Sequence, residues 1–446
     1  MTESASREIH IYHASAGTGK THTLMDIVGR HVEEGIPLNR IAFVTFTRAG
    51  AEVAKERVCK QFGIPLSDAP HFRTIHSMCF RALGMTKERM MDTDKYEDFG
   101  IKAGYNFGKM GGKRTLEEVD WANMSDAHMI AFEQLYRSNT KMAQQLLEDK
   151  VDALDFTRYC TEYVKYKNTF GFKDFTDLLQ DYIDNDCVEP VAIAVIDEAQ
   201  DCSPLQWQVL MKAIRDATAI YIAGDDKQCI YSFSGSNGSI LTHLKGDQHL
   251  LDTSYRVPKT ILQFVSQHIV CDMEDVVRMT DKTVKEGGSV SYLSSIDDLI
   301  EYSFSKSYFF LARNKKFLKK YVEWAEEHCI PYRLLGVPNW SDKDKQQFRD
   351  HKTADWDKQK LQLAQDYYNK GTFYATPNLD IETIHGVKGD EADVVVLMTD
   401  MSKLTWKAYK EDPNEEHKVF YVGCTRAKET LYIMEPQSRM YYSYVL

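Results

Sequence analysis

Ala14-Ser15-Ala16-Gly17-Thr18-Gly19-Lys20-Thr21, entered from the strand-like Ile9-His10-Ile11-Tyr12, is the stretch that decides the fold. An apolar strand that runs straight into a glycine-rich turn and then a helix is the start of a P-loop sheet. The glycines let successive backbone N–H groups face phosphate oxygens. Lys20 has the reach for the β and γ phosphates, and the Thr21 hydroxyl can ligate Mg²⁺ at a helix N-terminus. Ala14 stands where the strict pattern has Gly, a change tolerated wherever φ is negative. The loop implies a bound nucleoside triphosphate and no more, since kinases, GTPases, transporters and motors share it.

Outward from that loop, a chain of 446 residues is too long for one core and should hold two or three domains. Its composition, 43% hydrophobic and 27% charged, is that of a globular protein. The longest apolar runs, Val191 to Ile196 and Val394 to Met398, have the length of buried strands rather than of membrane spans. The polar opening, Met1 to Glu8, lacks the apolar core of a signal peptide, so a cytoplasmic protein with no membrane contact is expected. Nine scattered cysteines without a C-x-x-C pair fit a reducing compartment and argue against zinc or iron–sulfur sites. His10 and His13 flank the P-loop strand and read as structural. The net charge of −11 does not exclude a nucleic-acid partner, because binding depends on a local groove rather than on the sum.

Strand-like runs at Ile41 to Val44, Val191 to Ile196 and Ile220 to Ala223 alternate with helical stretches, His22 to Glu33 and Ala49 to Phe62. This is the βα alternation of a parallel sheet, an α/β fold. The expected organisation is a first lobe in two parts, residues 1–84 and 171–250, interrupted by a helical insertion at 85–170 that carries the patch Gly108 to Arg114. A second lobe follows at 251–446. Its strands are expected around Ser289 to Leu293, Tyr308 to Ala312, Ile381 to Thr383, Val394 to Leu397 and Leu431 to Ile433. A short polar insertion is expected at about 341–379.

Chemistry gathers at strand ends. Val195-Ile196-Asp197-Glu198 brings an apolar strand to two adjacent carboxylates. Asp197 can hold Mg²⁺ opposite Thr21, and Glu198 can orient and deprotonate water. A solvated acidic pair is the ordinary alternative, and the buried-strand approach weighs against it. Gln228, in Gly224-Asp225-Asp226-Lys227-Gln228, can donate and accept at once, as a sensor of phosphate and water must. Arg256 and Arg426, in the second half, are candidates to neutralise charge on a transferring phosphoryl group, an effect worth roughly 10³–10⁵ in rate. Either one alone could equally be a surface ion pair.

Read in order, the P-loop is followed by Val44-Thr45-Phe46-Thr47, Thr74-Ile75-His76-Ser77, Asp174-Phe175-Thr176-Asp177-Leu178-Leu179, Asp197-Glu198-Ala199-Gln200-Asp201, the Gly224 to Gln228 block, Tyr255-Arg256, Thr383-Ile384-His385-Gly386-Val387-Lys388-Gly389-Asp390-Glu391 and Thr425-Arg426-Ala427-Lys428. This series resembles the UvrD/Rep-type DNA helicases of superfamily one, over both halves of the chain. The resemblance implies two RecA-like lobes with ATP and Mg²⁺ between them, single-stranded DNA across their top, 3′-to-5′ movement and a role in repair or replication. It places Ala14 to Thr21, His22, Tyr255, Gly389 and Glu391 around the nucleotide, with Tyr255 stacking on adenine. It places Phe46, Thr47, His76, Tyr231, Phe233, Thr383 and His385 on the strand. Tyr441 is the candidate for a duplex-splitting pin on a second C-terminal strand, with packing of that strand as the alternative.

Three departures stand out. The family's upstream glutamine has no counterpart and His22 replaces a common Arg, which predicts relaxed base selectivity. Phe233 and Ser234 stand where Trp and Arg are usual. Only Leu334 to Glu382 lie where larger relatives insert a whole accessory domain. The leading expectation is a monomeric ATP-dependent helicase acting at single-stranded DNA and duplex junctions. The alternatives are an ATP-gated nucleic-acid adaptor or translocase that does not unwind, and a small-molecule P-loop kinase.

Overall fold

The computed structural model describes residues 7–107, 125–138, 141–149, 151–232, 235–236, 238, 240–273, 282–299 and 302–446. The Gly108 to Arg114 patch, Phe233 and Ser234 lie outside them. The chain divides into two compact units, one ending at Leu251 and one running from Asp252 to Leu446.

In the first unit the order is β1 (Glu8–His13), α1 (Lys20–Glu33), β2 (Ile41–Val44), α2 (Arg48–Phe62), β3 (Phe72–Arg73) and α3 (Ile75–Ala82). Then come α4 (Thr93–Ala103), α5 (Asp126–Arg137), α6 (Lys141–Asp149), α7 (Ala153–Phe170) and α8 (Phe175–Asp184). The unit closes with β4 (Ile193–Ile196), α9 (Pro204–Ala213), β5 (Ala219–Gly224), α10 (Ile240–His243) and β6 (Asp247–Leu250). Among the described residues the sheet has six strands in the order β3-β2-β4-β5-β1-β6, all parallel. The apolar run that announced β4 is continuous because both faces are covered. Ile193 and Val195 join a core with Leu24 and Val28 of α1 and Val58 of α2, whereas Ala194 and Ile196 join one with Met78, Leu178 and Leu210 from α3, α8 and α9. That strand order sets the carboxyl ends of β4, β5 and β1 side by side, where ligands bind in open α/β sheets.

Helices α4 to α7 carry their own core, including Phe99, Phe132, Tyr159 and Tyr163. They meet α8 at a buried charge cluster. Lys167 reaches Asp174 at 2.6 Å and Asp177 at 2.7 Å, and Arg137 reaches Asp177 at 2.5 Å, Asp174 at 3.1 Å and Glu133 at 3.2 Å. Asp174 and Asp177 also form the capping box that starts α8.

In the second unit, β7 (Thr253–Ser254) and α11 (Lys259–His268) precede β8 (Lys282–Thr283), β9 (Ser289–Leu293) and β10 (Tyr308–Ala312). Next are α12 (Leu318–Glu327), β11 (Tyr332–Leu334), β12 (Val337–Pro338), α13 (Asp342–Arg349) and α14 (Lys358–Asn369). Then follow β13 (Leu379–Thr383), β14 (Ala392–Met398), α15 (Lys403–Glu411), α16 (Asn414–Cys424) and β15 (Ala427–Met434). The main sheet runs β12-β11-β13-β10-β14-β15-β9, parallel except for β12 against β11. Helices α13 and α14 fall within the stretch read as a polar insertion. They fold over a small aromatic core of Trp340, Tyr367 and Phe373, with Phe348 and Trp356 packed against it.

The second C-terminal strand expected around Tyr441 does not form. Half-buried Tyr441 makes a single bridge to Asp400. The next residue, Tyr442, is fully buried, with its ring stacked on Phe420 at 4.0 Å and its hydroxyl 2.7 Å from His417 Nδ1. Burying that ring against α16 draws the chain away from β15 before a ladder can extend.

Candidate nucleotide and strand site

The P-loop connects β1 to α1. Gly17 and Gly19 take φ of 75° and 73°, in the left-handed region that admits glycine cheaply. Ala14 is buried outside that region, and its N–H donates to Gly224 O at 2.9 Å, so its methyl group is accommodated. Ser15, Ala16 and Thr18 are buried too. At the first turn of α1, Lys20 Nζ lies 2.6 Å from Glu198 Oε1 and 3.7 Å from Asp197 Oδ1, while Thr21 Oγ1 donates to Asp197 Oδ2 at 2.9 Å. Burial pushes the Lys20 pKa down, but Glu198 and then Asp197 outweigh it, so the ammonium is held charged. Burial raises Asp197, followed by its neighbour Glu198 and against the pull of Lys20. His22 points elsewhere: it is exposed and pairs with Asp26 at 2.8 Å.

Glu198 has φ of 56°, a left-handed conformation that costs a non-glycine residue of order 1 kcal/mol. Hydrogen bonds hold it there. Its N–H donates to Asp197 Oδ1 at 2.9 Å, and Gln200 Nε2 donates to its carboxylate at 2.6 Å. Gln200, fully buried, accepts from Asp225 N at 3.1 Å, and Gln228 Nε2 donates to Asp225 Oδ2 at 2.6 Å. Thus Glu198 and Gln228 are the two ends of one relay through Gln200 and Asp225. Neither relay residue was singled out from sequence. The available signal was their position as polar residues just past apolar strands. Gly224 is required beside them, because a Cβ there would stand 2.6 Å from Gln200 Oε1 and 2.5 Å from a Leu241 methyl.

On the expected strand-binding side, Phe46 and Tyr231 stack with centroids 5.7 Å apart. His76 meets Phe175 edge-on at 5.3 Å. Burial first, then Arg48, pushes the His76 pKa down to about 4, so the ring is neutral at physiological pH. The Thr47 hydroxyl caps α2 by accepting from Gly50 N at 3.1 Å. In the second unit, Tyr255 is 63% exposed, and Arg256 pairs with Glu391 at 3.4 Å. Arg426 is buried, donating to Val422 O at 3.0 Å, Thr425 Oγ1 at 3.2 Å and Asp390 O at 3.4 Å. Gly389 has φ of 99°. Thr383 accepts from Gly386 N at 3.2 Å, turning the chain beneath buried His385. A bidentate buried pair, Arg313 with Glu416 at 2.7 and 2.8 Å, braces β10 against α16 and was not anticipated. Among the described residues no group of three or more His, Cys, Asp or Glu could hold a metal ion by itself, and no helix is long and apolar enough to cross a membrane.

The UvrD/REP helicase N-terminal domain matches residues 2–249, and the UvrD-like helicase C-terminal domain matches residues 359–438. The chain belongs to the UvrD/REP helicase family. It is 24% identical over 285 residues to a probable DNA helicase II homolog of Mycoplasma genitalium, covering 60% of this chain and 40% of that protein. It is 25% identical over 317 residues to the RecBCD enzyme subunit RecB of Mycolicibacterium smegmatis, covering 56% and 29%. It is 23% identical over 469 residues to a probable DNA helicase of Mycoplasma pneumoniae, covering 98% and 82%. The chain therefore spans less than half the length of the first two relatives. In this UvrD/REP chain, the two-unit parallel α/β architecture is the RecA-like pair of lobes that the family implies.

Proposed function

We propose that this chain is an ATP-hydrolysing motor that moves along single-stranded DNA and separates duplex in the 3′-to-5′ sense, as a cytoplasmic monomer. The observation that carries the reading is the convergence of Lys20, Thr21, Asp197 and Glu198 at the mouth of the P-loop. The residues fit Mg²⁺ with a triphosphate. Adjacent oxygens around an octahedral ion with bonds of about 2.0–2.1 Å stand about 2.9 Å apart, which is the Thr21 to Asp197 separation. Bound there, the ion would neutralise charge developing on the β and γ phosphates.

The protein's own groups account for the rest. Lys20 exchanges Glu198 for phosphate oxygens. That exchange frees the Glu198 carboxylate to take a proton from the attacking water. Gln228, tied to Glu198 through Asp225 and Gln200, orients the same water and passes the state of the phosphate to the neighbouring loop. Tyr255 and Gly389 flank the base and ribose, and Arg256 and Arg426 neutralise the transferring phosphoryl group once the lobes close, roles supported by the motif order. Stacking of bases on Phe46, Tyr231 and Phe233 gives sequence-tolerant grip, about 1–3 kcal/mol per base, with Thr47, His76, Thr383 and His385 on the backbone path. Residues 1–84 with 171–250 and residues 251–446 serve as the two lobes, and 85–170 as an accessory domain.

Hydrolysis should rise several-fold when single-stranded DNA is added, and a 3′-tailed duplex should open where a 5′-tailed one does not. A hydrolysis rate indifferent to DNA would overturn the motor. Brisk DNA-stimulated hydrolysis with no opening of either duplex would select the translocase without unwinding, a reading favoured by the small size of the α13–α14 insertion.

A further inference from the structure

A cavity of about 410 Å³ opens in the first unit between the first turns of α2 and α3 and the start of α8. Its volume is that of a ligand pocket, ~300–1,000 Å³. Neither Lys20, Thr21, Asp197 nor Glu198 lines it. Its walls are aromatic, from Phe72, Phe80, His76 and Phe175. Phe175 is 48% exposed although Leu178 and Leu179 on the same helix are buried, so a large ring is left in solvent at the mouth. Such an exposed aromatic beside a neutral imidazole is a surface on which a flat heterocycle can stack.

The charge here runs opposite to that of the whole chain. Arg48, Arg73 and Lys87 border the cavity against the single carboxylate of Glu52, in a protein of net charge −11. Arg73 donates to Pro70 O, while its Nε is enclosed with no hydrogen-bond partner. Burial and then Arg81 lower the Arg73 pKa more than Glu189 raises it, the mark of a cation short of counter-charge. The capped N-termini of α2, at Thr47, and of α3, at Thr74, add the positive ends of two helix dipoles. An aromatic slot with a cationic, acid-poor rim fits a ligand with a flat body and an anionic group.

We propose that this cavity receives one unstacked nucleotide of the DNA strand, its base against Phe175 and His76 and its phosphate on Arg48 and Lys87. The site rests on the strand-binding reading above and adds to it a fixed point at which one nucleotide is taken out of register with its neighbours.

The test moves a 2-aminopurine base one position at a time through an oligonucleotide bound to the full chain. One position should show a fluorescence change distinct from the rest. Phe175→Ala and Arg48→Gln should abolish that change and weaken binding roughly tenfold, the loss of about one base stack. Phe175→Trp should restore both, which a merely structural role for Phe175 would not allow. Unaltered melting temperatures check the fold of the variants. DNA-stimulated hydrolysis with signal and affinity unchanged in Phe175→Ala and Arg48→Gln would overturn the cavity alone. A partner side chain as occupant would give that same result. Failure of the wild-type chain to bind the oligonucleotide at all would overturn the strand-binding reading with it.

Discussion

Lys20 and Glu198 are each other's partners in this structure, so their substitutions are not equivalent. Lys20→Ala removes the phosphate ligand but also strands two carboxylates, one of them buried. Breaking a buried pair costs about 3–5 kcal/mol, so lost activity in that variant would mix chemistry with unfolding. Glu198→Gln keeps the size and the contact with Gln200 and lacks only the base. It should lower hydrolysis by at least about 10²-fold while ATP still binds, as a fluorescent-nucleotide titration alongside a phosphate-release assay would read out. Glu133 offers a second test. Burial, and then Asp174, raises its pKa to about 7 against the opposing pull of Arg137. Its folded pKa thus lies above the unfolded value, so the folded chain holds the proton that the unfolded chain releases, and the stability this gives is lost as pH rises from about 4.5 through 7. Glu133→Gln should therefore remove a decline in melting temperature between pH 5 and 7.5, with the largest gain over wild type above pH 7.

Elements explain why some boundaries could be read in advance and others could not. Strands β2, β4 and β5 were legible because both faces of a parallel sheet are covered, which leaves unbroken apolar runs. The start of α1 was legible because the P-loop specifies it. The C-terminal segment misled because Leu431 to Glu435 and Arg439 to Tyr442 share the same aliphatic and aromatic character, while burial of a single ring chose packing over pairing. Tyr442→Ala should accordingly cost the second unit about 3–5 kcal/mol, visible as a lower urea midpoint, because it empties a site stacked on Phe420.

At the scale of the molecule, the order of short blocks along the chain determined the family, the two-lobed α/β plan and the identity of Lys20, Thr21, Asp197, Glu198 and Gln228. These follow from sequence because phosphate, metal and water each demand one residue type at one kind of strand end. Tertiary structure alone decided what holds those residues. The left-handed turn at Glu198, the relay through Gln200 and Asp225, the pairing of Arg256 with Glu391 and the bidentate bond of Arg313 to Glu416 join residues with no shared local pattern. So does the cationic cavity beside Phe175, a local reversal of charge that the net −11 conceals. Sequence states which groups a strand end presents, because backbone periodicity is local. Only packing states which groups meet, because burial and hydrogen bonding are settled between segments distant in the chain.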